Sequence, residues 1–342
     1  MSSVSEELED AVRRNIAVSP EIPVIDAHMH LWHGPNGGYF AKEYLADVAA
    51  AGHEIFASVH VECNTDYRSS GPAEMAAIGE TEFVVDQSLQ SDGSGHRLAS
   101  AIVGNADLRL GSAVGRVLDG HLKAAPERFC GIRQRLSWDP EQAVAYPGHD
   151  YPDSYAVFDD PALLAGAKCL SHRGLVLNAL VFHTQLDALV DFAGKVEDLK
   201  IVVDHCGFPV GVGRFASQRD EVFRHWLSGM RRIAELPNVH VKLDGMGISR
   251  FGLGLGDGDR EGRAMRALAS WKPFVAGCLE TFGPERCIYA TNAPVDSSVF
   301  SMRQHINFYK LMLADQTLED RHSMFWRNAA DLFSIAGPQR QD

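Results

Sequence analysis

The chain of 342 residues carries 32 Lys and Arg against 45 Asp and Glu, a formal net charge of −13, with 45% hydrophobic and 23% charged residues. This is an ordinary globular composition, long enough for one large α/β barrel or two smaller domains. Without a Lys/Arg-rich run it lacks the clustered positive charge that nucleic acid or an anionic membrane surface requires, and no apolar stretch approaches the length that spans a bilayer.

The opening "MSSVSEELEDAVRRN" is acidic and has no apolar h-region, so it does not read as a secretory signal, and a cytoplasmic protein is expected. The six cysteines, Cys63, Cys130, Cys169, Cys206, Cys278 and Cys287, are scattered singly, with no C-x-x-C pair, and are expected to be reduced.

The first apolar run, "IPVIDAHMH", places Asp26, His28 and His30 at alternating positions, so on a regular strand the three would share one face. Seven more runs of the same kind follow: "EIFASVHVEC", "LASAIVG", "FCGIRQRL", "GLVLNALVFH", "KIVVDHCG", "NVHVKLDG" and "RCIYATNAP". Between them lie helical patterns such as "FAKEYLADVAAAG", "SAVGRVLDGHLKAA", "PALLAGAKCLSHRG", "TQLDALVDFAGKV", "DEVFRHWLSGMRRIAEL" and "WKPFVAGCLETFG", several ended by a Gly suited to a C-cap. Strand alternating with helix eight times is the order of a (β/α)₈ TIM barrel. The barrel core is expected over about residues 22–314 of a single domain, closed by a helical tail at 315–342 around "RHSMFWRNAADLFSIAG".

Two insertions follow strands, "SWDPEQAVAYPGHDYPDSYAVFDD" and "MGISRFGLGLGDGDREG". In a barrel both overlie the mouth, and they are candidates for a substrate lid. The second lacks a G-x-G-x-x-G context and a G-K-[ST] ending, so it is not a phosphate cradle.

Chemistry in such a barrel collects at the C-terminal strand ends. The first strand offers Asp26, His28 and His30; the second, His60 and Glu62 on one face; the fourth, Arg133 and Arg135 on one face. The fifth ends in His183, the sixth in Asp204 and His205, the seventh in Lys242 and Asp244, and the eighth in Asn292 with Asp296 beyond. Each alone has a structural explanation as a cap or buried ion pair; their joint placement at the ends of different strands points to a site.

Asp-x-His-x-His on the first strand, a His after the fifth, a His after the sixth and "IYATNAPVD" on the eighth resemble the amidohydrolase superfamily. The resemblance narrows to its amidohydrolase-2, lactonase-like branch, which includes pyrone-dicarboxylate and sugar-acid lactonases. It runs through "VIDAHMHLW", "GIRQRLSWD", "HTQL", "VDHCG", "VKLDGMG" and "FWRNAADLF", nearly the whole chain. It implies that His28, His30, His183 and His205 hold one divalent metal, Zn or Mn, with no organic cofactor; such a metal is a Lewis acid and acidifies bound water. Arg133 stands where the superfamily often has a metal-bridging Lys or Glu; a guanidinium cannot ligate, but Arg133 and Arg135 can grip a carboxylate or polarise a carbonyl.

The chain departs from the superfamily at the eighth strand, where Asn292 replaces the usual aspartate and cannot act as a base. "NAPVD" resembles the N-F-P-V-D pattern of some branch members. Asp296 is then the expected water-activating carboxylate, with Asp244, Asp204 and Glu62 as alternatives. Some relatives keep the histidines and work without metal, so the same constellation also fits a carboxylate-activated water with His and Arg stabilising the oxyanion.

The expected activity is opening of a lactone or related cyclic ester of a small carboxylated or polyhydroxylated acid. Asp296, Arg133, His183 and Asn292 are the expected catalytic residues, and Glu62, Arg135, Trp138, Tyr146 and Lys242 the substrate-binding ones. Alternatives are a metal-dependent decarboxylase of an aromatic or muconate-type acid, disfavoured by Asn292, and a metabolite-binding barrel without turnover. The partner is a small, anionic substrate, not nucleic acid or membrane, and the resemblance suggests a homodimer.

Overall fold

A computed structural model describes residues 10, 13–34, 37–145, 156–255 and 260–338. Each of the eight apolar runs forms a strand: β1 Val24–Met29, β2 Ile55–Val61, β3 Arg97–Gly104, β4 Phe129–Arg135, β5 Val176–Leu180, β6 Ile201–Val203, β7 Val239–Leu243 and β8 Cys287–Tyr289. They pair in parallel, in sequence order. A helix follows each: α1 Ala41–Ala51, α2 Ile78–Ser88, α3 Gly115–Ala124, α4 Pro161–Ser171, α5 Leu186–Ala193, α6 Arg219–Ala234, α7 Arg260–Phe282 and α8 Met302–Met312. The fold is the expected TIM barrel. Local signals start and stop the helices: Asp160 accepts from Ala162 N at 2.8 Å with Pro161 in the first turn of α4, and Gly52 ends α1 at φ 70°.

The helical patterns legible in the sequence leave out α2 and α8, and for α2 burial explains why. Its inward residues include Gly79, Glu80, Thr81 and Ser88 beside Ile78 and Val84, so no apolar stripe marks it.

Two apolar layers hold the barrel. One lies between strands and helices; the other fills the interior with Ile25, Ala27, Val59, Val61, Ala101 and Val202. The tail closes this interior, because Ala329, Leu332, Phe333 and Ile335 belong to the same apolar cluster. It consists of Leu318–His322, a π-helical turn at Ser323–Arg327 and Asn328–Phe333. Among the described residues no helix is long and apolar enough to cross a membrane.

The ends of the sheet meet between β1 and the segment after β8. Asn292 N donates to His28 O at 2.8 Å, and His30 N donates to Ala293 O at 2.7 Å. Asp26, fully buried, locks the seam: it accepts from Thr291 N at 2.8 Å, from the Thr291 hydroxyl at 2.6 Å and from the Tyr44 hydroxyl of α1 at 3.0 Å. Asp26→Ala leaves these buried donors without an acceptor, at about 1–3 kcal/mol for each group left unpaired. A loss of about 3 kcal/mol or more in urea-denaturation stability is the expected outcome, against less than 1 kcal/mol if the seam is held by the backbone alone.

Candidate active site

The seam settles how β1 presents its side chains, and it corrects the shared-face expectation. Asp26 pairs with Ser58 but Met29 pairs with His60, so β1 spends one more residue than β2 over the same span. This bulge breaks the alternation. Asp26 points to α1 and Thr291, while His28 crosses the barrel toward Asp244, Lys242 and Arg133. On β2, too, His60 and Glu62 part company: His60 meets Glu80 of α2, and Glu62 meets Arg133 and Arg135.

Asp244 organises the histidines. Its Oδ1 accepts from His205 N at 3.0 Å and lies 2.9 Å from His205 Nδ1, while its Oδ2 lies 2.9 Å from His28 Nδ1. The His28 and His205 rings stack at 4.9 Å, and His30 stands edge-on to His28 at 4.9 Å with Nδ1 on Val61 O at 2.7 Å. His30 and His205 thus use Nδ1 on a buried acceptor, which is how metal-binding imidazoles are commonly oriented, and His28 Nδ1 faces Asp244 Oδ2 as an ion-pair contact. Gly245, at φ 86°, lets the chain turn close past His205, whose Cβ would lie 3.1 Å from any added methyl.

Burial is the main reason the His28 and His30 pKa values lie well below the ordinary 6.5; Lys242 adds to it at His28 and Arg133 at His30. Burial alone would raise Asp244, but His205 and His28 outweigh it and hold the carboxylate well below its usual range.

Asp204, fully buried, completes the group. It offers one ligand atom within 4.8 Å of ligand atoms of His28 and His205, and neither of its oxygens has a hydrogen-bond donor, although Lys242 Nζ pairs with Oδ1 at 3.3 Å. An orphaned buried carboxylate beside two imidazoles is a donor set that suits a divalent ion. Lys242 is itself fully buried, 3.4 Å from His28 Nδ1 and 6.0 Å from the Phe333 ring of the tail. It therefore lies beneath the histidines instead of facing a substrate.

The second half of the site is an arginine clamp. Glu62, fully buried, takes Arg133 Nε on Oε1 at 2.8 Å, and Arg135 Nε on Oε1 and Nη2 on Oε2, both at 2.8 Å. Burial would raise its pKa, but the two guanidinium groups outweigh that and lower it. Arg133 also reaches the Glu62 carbonyl and approaches His28 Nε2 at 3.4 Å, tying clamp to histidines. Of this trio the arginines keep some exposure, 6% and 14% of their side chains, so they, not Glu62, front the mouth.

Other expected site residues have different surroundings. His183 accepts from Val210 N at 3.3 Å through Nδ1 and packs edge-on to Phe215 and His225, its pKa lowered to about 3 by burial and His225. Both Asp296 oxygens are engaged, Oδ1 by the Asn292 amide at 2.9 Å and Oδ2 by His305 Nε2 at 3.3 Å. Asn292 is thereby oriented by Asp296. Trp138, half-buried, is anchored through its N by Gln185 Oε1 at 2.9 Å. Tyr146 lies outside the described residues, as do 146–155 and 256–259 of the two insertions. The described parts of those insertions are joined, Arg250 Nη2 donating to Ala145 O at 2.8 Å.

Sequence reasoning missed Trp32, which stacks on His30 at 5.8 Å, and Gln185, which also donates to Leu136 O at 2.7 Å and so joins the ends of β4 and β5. "HLW" carried a signal for the first, two residues on from His30. Gln185 carried none.

Comparison with known proteins identifies the family and the fold. The amidohydrolase family model matches residues 25–335. An L-fucono-1,5-lactonase of Burkholderia ambifaria is 27% identical over 336 residues, covering 92% of this chain and 96% of that protein. An amidohydrolase structure from Burkholderia multivorans with bound Zn superposes with TM-score 0.71 at 21% identity, over 92% of this chain and 100% of that one. A 5-carboxyvanillate decarboxylase of Novosphingobium aromaticivorans, complexed with manganese, gives TM-score 0.52 at 15% identity, over 85% and 79%. These structures share the fold.

The charge states have a consequence for pH. Histidines whose folded pKa is lowered bind fewer protons folded than unfolded, so they favour the folded state above about pH 6.5 and oppose it as pH falls below. Asp244 and Glu62, with lowered pKa values, add stability above about pH 4 that is lost on further acidification. The urea midpoint is expected to fall steadily from pH 7.5 to pH 4; a flat profile would mean the histidines are charged in the folded state.

Proposed function

The chain belongs to the amidohydrolase family, and on that premise we propose that this hydrolase opens a lactone or related cyclic ester of a small carboxylated or polyhydroxylated acid. The observation that carries the reading is the pair of guanidinium groups held side by side on one buried glutamate, next to the buried imidazoles of His28 and His30, whose pKa values are lowered. The similarity to an L-fucono-1,5-lactonase supports the same class of substrate.

His28, His205 and Asp204, with His30 alongside, would hold a divalent ion such as zinc or manganese. Bound there, the ion would supply a Lewis acid for the ester carbonyl. The remaining chemistry belongs to the chain. Arg133 and Arg135 hold an anionic or hydroxyl group of the substrate and set its orientation. Asp244 orients His28 and His205 through their Nδ1 atoms, with His28 Nε2 facing Arg133. Asp204, with two oxygens that no donor satisfies, takes a proton from the attacking water. The water oxygen joins the carbonyl carbon, the ring C–O bond breaks, and the proton returns to the departing ring oxygen, which becomes a hydroxyl. Asp296 acts through Asn292, which it positions, and Lys242 neutralises Asp204 from below.

A pH-indicator assay over lactones of sugar acids and pyrone carboxylic acids tests this, run before and after chelation and metal return. Hydrolysis is expected, with Arg135→Ala raising KM about 10–100-fold and changing kcat less, as loss of charge-assisted hydrogen bonds to substrate demands. Chelation is expected to lower kcat, and zinc or manganese to restore it. Release of carbon dioxide from an aromatic acid, with no lactone opened, would replace this reading by the decarboxylase one.

A further inference from the structure

A second cluster of metal-ligand side chains lies outside the barrel, between β2 and α2. His60, Cys63 and Glu80 each bring one ligand atom within 4.8 Å of the others. His60 Nε2 is 3.2 Å from Glu80 Oε1, and Cys63 Sγ is 3.3 Å from the same oxygen. Tetrahedral zinc with ordinary Zn–N, Zn–O and Zn–S bonds spaces such ligand pairs by about 3.3–3.6 Å.

The polar inventory is incomplete as it stands. His60 is fully buried and Glu80 is 2% exposed, yet His60 Nδ1 and Glu80 Oε2 have no hydrogen-bond partner. Among the described residues the one basic group paired with Glu80 is His60. Glu80 Oε1 also accepts from Cys63 N at 2.7 Å, but a carboxylate carried inward on a helix with no Lys or Arg paired to it among the described residues is costly, and a divalent ion offsets that. One thiolate, one carboxylate and one neutral imidazole around a divalent cation make a centre of zero net charge. Cys63 is only half-buried, which leaves a way in from solvent, and the Leu31 carbonyl, 3.4 Å from its Sγ, lies beside the site.

We propose that His60, Cys63 and Glu80 form a second divalent-cation site, selective for thiophilic ions such as zinc. It differs in chemistry from the inner group, whose donors are nitrogen and oxygen alone, and hard ions such as magnesium are excluded by the thiolate. Binding releases the Cys63 proton to solvent. The site pins the end of β2 to α2, and between its ligands His60 and Cys63 sits Glu62, which holds the arginine clamp.

Metal-free full-length protein reloaded with cobalt tests the proposal, because a thiolate ligand gives a near-ultraviolet sulfur-to-cobalt charge-transfer band that a nitrogen and oxygen site does not. The band is expected in the wild type and in His28→Ala, and absent in Cys63→Ser, which should also bind one zinc fewer per chain. A wild type without the band, or a band undiminished in Cys63→Ser, would overturn it. If Cys63→Ser does not fold, alkylation of wild-type Cys63, read by peptide mass, decides instead: zinc is expected to slow it at least tenfold, and an unchanged rate would refute the site.

Discussion

A single buried carboxylate, Asp244, ties together the histidines at the mouth of this barrel. It sits at the end of β7, receives His205 through both backbone and ring, and lies 2.9 Å from the Nδ1 of His28 on β1. Strands β1 and β7 are not neighbours, and His205 comes from the end of β6, so one side chain of β7 joins groups from two other staves. Without it, two desolvated imidazoles would have no fixed tautomer and no fixed orientation.

The closure of the barrel serves that carboxylate. Asp26 holds Thr291 to β1, which puts His28 at the seam, and the bulge beyond Asp26 turns His28 inward. His205, Cys206, Gly207 and Phe208 all have positive φ, a costly backbone that places His205 over Asp244. Gly247 permits the loop after β7 to run against Asp296, where an added methyl would lie 2.7 Å from its Cα. Strain and close approach are thus gathered where the ligands converge, while the tail seals the opposite end with Phe333 and Leu332.

The eight strands were legible because buried parallel strands are short, apolar and β-branched, and their order alone implied the barrel. The polar residues at their ends were legible as a group for the same reason: each alone could be a cap or a buried ion pair, but together Arg133, His205 and Asp244 stand out at the ends of apolar runs. Which face each occupies was not. A period-two reading of "DAHMH" fails at a bulge, and no local pattern announces one. Likewise the sequence placed Glu62 and Lys242 beside the substrate, whereas long-range pairing buries both beneath the groups they support. Asp204 was visible only as a possible base, because its surroundings are brought together by β1, β6 and β7. Helix α2 escaped notice since its inward face is polar, and that same polarity now marks the outer cluster.

If Asp244 acts through the two imidazoles, its loss must show most directly in kcat/KM of Asp244→Asn on the preferred lactone, with the urea midpoint measured alongside. An amide keeps the shape but cannot accept from both rings as an anion, and a fall of about 10–100-fold in a folded protein is the predicted result. Activity within twofold of the wild type would show that His28 and His205 are oriented by something else, and would contradict the role given to Asp244.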